Sequence, residues 1–147
     1  EVISLSGTAF IRQCPCPSSD NQPDVSNGVL FPTNGANFYA AVDFPATGLR
    51  ICSLSLVYHD TNASDALTAR LFRKSSVVGS DPLAAPKIIA EVSSAAGVVN
   101  TVRRATTRAI TLPLINDNAG FYFVQVAAPT INLNLVGVQI DYRQTCP

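Results

Sequence analysis

Apolar and polar residues alternate with a period of two along most of the chain, the repeat of a strand with one buried and one exposed face. LRICSLSLVYH (49–59) shows it most plainly, with Cys52, Leu54, Leu56 and Tyr58 on one side and Ser53 and Ser55 on the other. This phase points Cys52 into the core. ALTARLFR (66–73) places Leu67, Ala69 and Leu71 inward and Thr68, Arg70 and Phe72 outward. VISLSGTAFI (2–11), GVLF (28–31) and NFYAAVDF (37–44) read as earlier strands, with shorter ones expected over 87–92 and 107–112. GFYFVQVA (120–127) is apolar on both faces, which predicts a central strand. In the stretch 131–142, Ile131, Leu133 and Leu135 are in phase, and the pattern then switches to Val136, Val138, Ile140 and Tyr142. A slip of one residue marks a β-bulge, and Gly137 is its natural site. No window of a dozen residues carries a helical apolar stripe. About nine short strands between turn clusters predict an all-β fold, one antiparallel sandwich over 1–147 of jelly-roll or immunoglobulin-like kind.

Composition sharpens the picture. The chain has 147 residues, is 47% hydrophobic, and is only 14% charged, with ten basic residues balancing ten acidic ones. Little electrostatic repulsion keeps such copies apart, so association is favoured. Nucleic acid is excluded as a partner, because phosphate binding needs a concentrated positive face. Arg103, Arg104 and Arg108 read as solvated charge near a loop. The longest apolar runs fall far short of the roughly 18 residues of a membrane helix, so no membrane span is expected. A start at Glu1 instead of Met, with no cationic, apolar leader, predicts a mature form.

Four cysteines add a compartment. Cys14 and Cys16 flank one proline in RQCPCPSSDNQPD (12–24) and are too close to bond each other without heavy strain. The two remaining pairings both tie this segment to Cys52 and Cys146, making 12–27 a disulfide-pinned hinge. Closing loops of roughly 36 and 130 residues stabilises by about 4 and 5 kcal/mol. A bond to a neighbouring subunit is a further arrangement that the spacing leaves open. Such bonds persist in oxidising surroundings, which predicts a secreted, extracellular or cell-surface protein. Zinc frameworks use C-x2-C spacings with partner ligands, and the one histidine here is His59; no metal or other cofactor is expected.

Three stretches, VYHDTNASDALTARLFR (57–73), INDNAGFYFVQV (115–126) and NLNLVGVQIDYR (132–143), are familiar together. They resemble a loosely defined group of secreted bacterial β-sandwich domains with an LTVRLYR-like strand and a closing LRLYGVRIEY-like strand. SGTAFIRQ (6–13) is similar to the opening of that group. The resemblance implies the sandwich fold and carries no catalytic residue.

Candidate chemistry is sparse. His59 and Asp60 beside Ser53 and Ser55 contain the letters of a hydrolase triad, but neighbours on a strand point to opposite faces and no nucleophile elbow exists. We therefore expect no enzyme. Asp60, Asn62, Ser64 and Asp65 form an oxygen-rich turn, a weak calcium candidate against the simpler reading that these side chains make the turn itself. Asn62 also heads a glycosylation sequon. Sugar binding calls for exposed aromatic platforms. There is no Trp, and Tyr39, Phe72 and Tyr122 are the aromatics expected outside.

The sequence thus favours a structural subunit of an extracellular filament or surface assembly, a homopolymer built by strand contacts. The N-terminal strand would pair with a neighbour's sheet edge through Val2, Ile3, Leu5, Phe10 and Ile11. A secreted carbohydrate-binding or adhesin module, with extracellular polysaccharide as partner, is the alternative. A discrete trimer or a jelly-roll coat subunit comes third.

Overall fold

A computed structural model describes residues 1–12, 24–26, 28–32, 36–61, 64–77, 79, 81, 83–95, 97, 100–116, 118, 120–130 and 132–147. Its strands are β1 (Val2–Ser6), β2 (Ile11–Arg12), β3 (Asp24–Ser26), β4 (Val29–Phe31), β5 (Ala36–Val42), β6 (Arg50–Asp60), β7 (Thr68–Ser75), β8 (Lys87–Ser93), β9 (Arg103–Thr107), β10 (Gly120–Ala128) and β11 (Leu133–Arg143). They form two antiparallel sheets. One runs β3-β4-β11-β6-β9 with β1 also on β11, and the other runs β2-β5-β10-β7-β8. From β4 onward the chain changes sheet at every connection except β7 to β8. The resulting pairs of quartets, β4-β11-β6-β9 against β5-β10-β7-β8, make this the jelly-roll member of the two expected sandwich kinds.

The core follows from the alternation. Leu54, Leu56 and Tyr58 of β6 and Leu135, Val138 and Ile140 of β11 meet Phe38 of β5, Leu71 of β7 and Val124 and Val126 of β10. Each is almost wholly buried, and each such side chain contributes about 1.5–3 kcal/mol of burial. Two buried tyrosines keep their hydroxyls satisfied at the rim. Tyr58 Oη accepts from the Ala95 amide and Tyr122 Oη from the Asn116 amide, both at 3.0 Å. The bulge expected near Gly137 is present, with the register shifting between Leu135 and Gly137.

Several expectations need correction. The strand 2–11 is broken by a 3-10 turn at Gly7–Ala9, which carries the chain from the six-stranded sheet (β1) to the five-stranded one (β2). The turn is tight against its neighbours. A Cβ on Gly7 would lie 2.6 Å from the Leu30 nitrogen and 2.7 Å from the Leu135 oxygen. The strand expected over 107–112 lies instead at 103–107, so Arg103 and Arg104 are on an edge strand, not near a loop. Residues RRATT have no apolar alternation; they extend because β6 offers an open edge, with Thr107 opposite Leu54. Charge on such an edge discourages pairing with other chains.

Cys52 is a further correction, for it bonds Cys146 across 94 residues of sequence, with Cα atoms 5.3 Å apart. The elimination that tied both residues to the 14–16 segment is therefore overturned. A second register shift, between Asp141 and Tyr142, leaves Ile51 opposite Tyr142 and Cys52 in the bulge. Ile51 takes the core position. Cys52, itself buried, borders a small cleft with Ser53, Asp141 and Arg143, within reach of the returning tail. Cys14, Cys16 and most of the expected hinge lie outside the described residues.

Candidate functional site

The two outer faces of the sandwich differ. Outside the six-stranded sheet the residues are small and polar, exemplified by Ser55 Oγ bonded to Thr106 Oγ1 at 2.8 Å and by Gln139 opposite Ser4. Outside the five-stranded sheet, cross-strand pairing lines up side chains in rows, one of them apolar throughout. Ala41, Phe123, Phe72 and Ile88 form one row across β5, β10, β7 and β8. Ile11, Tyr39, Gln125, Arg70 and Glu91 form the next. Phe121, opposite Lys74, begins a third.

This face is aromatic and partly open to water. Phe72 and Phe123 stack with centroids 5.1 Å apart and planes at 14°, and Tyr39 leans on Phe123 at 6.1 Å. Phe121 is 70% exposed, Ile11 76% and Ile88 48%. Exposed rings gathered on one face mark a binding surface more often than chance, because leaving them in water costs free energy that a ligand can recover. Polar groups flank the rings. Gln125 Nε2 donates to Tyr39 Oη at 2.8 Å, and Arg70 pairs with Glu91. Beside Phe121, a shallow cleft of about 300 Å³ is lined by Ala41, Asp43 and Phe44. Beneath it Phe44 packs edge-on against Tyr122 at 5.1 Å and Tyr142 at 5.7 Å, which stiffens the floor. The Tyr142 pKa is raised, first by a hydrogen bond with the Glu1 side chain and then by burial.

Of the aromatics expected outside, Tyr39 and Phe72 are on this face, whereas Tyr122 is buried, a correction of phase. The pattern missed Phe121 and Phe123. GFYFVQVA is apolar on both faces, and β10 is central as expected, yet centrality in a sheet does not cover its outer side.

The other candidates are dispersed. His59 sits between Asn100 Oδ1 at 3.1 Å and Asn134 Nδ2 at 3.4 Å. Its neighbour Asp60 points inward and accepts from Ser94 Oγ at 3.2 Å, so the two do not share a site. Asp65 accepts from Thr130 Oγ1 at 3.0 Å, and Asn62 lies outside the described residues. Among the described residues no three potential metal ligands cluster. The assembly residues divide. β1 pairs with β11 of its own chain, Val2 opposite Asp141 through Ser6 opposite Gly137. Ile3 and Leu5 pack on the core, Phe10 is buried, and Val2 is 56% exposed.

No protein-family model matches the chain, and no curated protein matches it in sequence. Among solved structures it is similar to the C-terminal CBM6, a carbohydrate-binding module, of LamC, a marine laminarinase from Zobellia galactanivorans. The TM-score is 0.50 at 14% identity, covering 95% of this chain and 98% of that one. The Eiger TNF of S. frugiperda aligns at a TM-score of 0.33 and 6% identity, over 99% and 87% of the two chains, a likeness too slight to argue from. The class so defined is an antiparallel jelly-roll sandwich with one aromatic outer face.

Proposed function

We propose that this domain is a secreted carbohydrate-binding module that takes polysaccharide on the outer face of its five-stranded sheet. The observation that carries the reading is the partly exposed aromatic set Tyr39, Phe72, Phe121 and Phe123, flanked by an amide, a hydroxyl and a carboxylate. A pyranose has an apolar C–H face and a hydroxyl rim. Aromatic side chains desolvate the first while side-chain oxygens and amides bond the second. The fold likeness to a carbohydrate-binding module supports the reading at the level of architecture alone. The Cys52–Cys146 bond supports an oxidising compartment, and no catalytic step is assigned to the domain.

The filament reading receives less support, since its proposed donor strand is paired at home. Binding to insoluble and soluble polysaccharides, by pull-down and affinity electrophoresis, tests the proposal. Phe121→Ala and Phe123→Ala should each reduce retardation. A protein that binds no glycan but sediments as a polymer at high concentration would return the face to self-association.

A further inference from the structure

We infer that the glycan is a linear, uncharged chain lying across the strands of the five-stranded sheet, its hydroxyl edge read by Gln125, Arg70 and Glu91. The inference rests on the polysaccharide reading above. Two neighbouring rows of outward side chains carry it. Ala41, Phe123, Phe72 and Ile88 make an apolar row over β5, β10, β7 and β8. Tyr39, Gln125, Arg70 and Glu91 make a polar row over the same four strands. Adjacent strands stand about 4.8 Å apart and residues two apart on a strand about 7 Å. Each row is therefore roughly 14 Å long and lies roughly 7 Å from the other, longer than a single pyranose.

The rows match in length because of a bulge. Ile88 and Glu91 are three residues apart, which in a regular strand would put them on opposite faces. The β7–β8 register shifts between Leu71 and Phe72, and Ile89 and Ala90 are both buried, while Ile88 and Glu91 are both exposed. The bulge thus completes the apolar row and the polar row at once, the re-aiming that bulges perform beside functional sites.

Direction follows from the rings. Tyr39, Phe123 and Phe72 follow one another over β5, β10 and β7, with centroids 6.1 and 5.1 Å apart. Along β10 the aromatic run stops at Phe123, since the next outward residues are Gln125 and Ala127. Phe121 widens the apolar row at β10, on the side away from the polar row. The C–H face of an extended glycan finds continuous apolar contact across the strands and not along them.

Charge follows from the polar row. Gln125 Nε2 donates to Tyr39 Oη at 2.8 Å, and Arg70 donates to Glu91. These bonds do not exhaust the two amide donors of Gln125, the five donors of Arg70 or the acceptor oxygens of Gln125 and Glu91. Donors and acceptors side by side suit hydroxyls, which do both. A carboxylate or sulfate accepts only, and here it would meet Glu91 as a like charge beside an arginine already paired.

The test titrates cello-, laminari- and manno-oligosaccharides, as di- and hexasaccharides, into the intact protein by calorimetry, with a galacturonate hexasaccharide as charged control. At least one neutral hexasaccharide should bind about tenfold or more tightly than its disaccharide and than the charged control. Gln125→Ala should weaken the hexasaccharide about three- to tenfold. Ile88→Ser, at the far end of the apolar row, should do so about three- to tenfold, with Ile88→Leu retaining affinity. Each variant is compared well below its melting temperature. Equal affinity for di- and hexasaccharide would overturn this inference and leave the polysaccharide reading intact. So would hexasaccharide binding that Phe121→Ala weakens but Ile88→Ser and Gln125→Ala do not, since the chain would then follow β10. Preference for the charged control would overturn it as well. Failure of every glycan to bind would overturn the polysaccharide reading, and this inference with it.

Discussion

Replacing Gly137 by alanine tests whether the first strand is an integral part of its own sandwich. An alanine Cβ at 137 would lie 2.5 Å from the Leu5 carbonyl oxygen and 3.5 Å from the Leu5 carbonyl carbon and Ser6 Cα. All three are backbone atoms, so no rotamer change relieves the clash, and β1 must back away. Gly137 does not have a positive φ, so alanine by itself would gain about 0.4–1 kcal/mol by restricting the unfolded chain. Against that, forced overpacking costs about 1–3 kcal/mol. Retreat of β1 further exposes Ile3 and Leu5, which pack on the core, at roughly 1 kcal/mol each. It also weakens ladder hydrogen bonds worth about 0.5–1.5 kcal/mol apiece. The steric side wins, by at least about 2.5 kcal/mol in all. Equilibrium urea denaturation reads the loss, and amide exchange of residues 2–6 should accelerate before that of β6 or β10. Unchanged or increased stability with protected β1 amides would refute the reasoning.

Other outcomes follow from the same structure. Removing the Cys52–Cys146 bond, by Cys52→Ala with Cys146→Ala, should lower stability by about 4–5 kcal/mol in the chain-entropy treatment for a 94-residue separation, read by denaturant titration. Phe121→Ala should leave stability within about 0.5 kcal/mol, the ring being exposed, while lowering polysaccharide affinity about five- to thirtyfold by calorimetry. Ser94→Ala removes a donor to the buried Asp60 carboxyl and an acceptor for the Leu67 amide at 3.0 Å, so a loss of about 1–3 kcal/mol is expected in thermal or chemical melts. Chelator should shift the melting temperature by less than about 2 °C, and a larger drop would point to an ion at Asp60 and Asp65.

What the sequence determined by itself was whatever depends on one strand at a time. Alternation in 49–59, 66–73, 120–127 and 131–142 placed β6, β7, β10 and β11 to within a residue or two and oriented most of their side chains, because a half-buried strand must repeat every two residues. The phase slip at Gly137 was legible for the same reason. What needed two strands or more came only from the tertiary structure. β9 forms from residues with no pattern because a neighbouring edge stabilises it. The partner of Cys52 was decided by a bulge against Asp141 and Tyr142, which no spacing along one strand reveals. The site was the least legible part. Phe121 and Phe123 carry the same apolar signal as core residues, and only the packing of one sheet against the other says which side of β10 is left facing water.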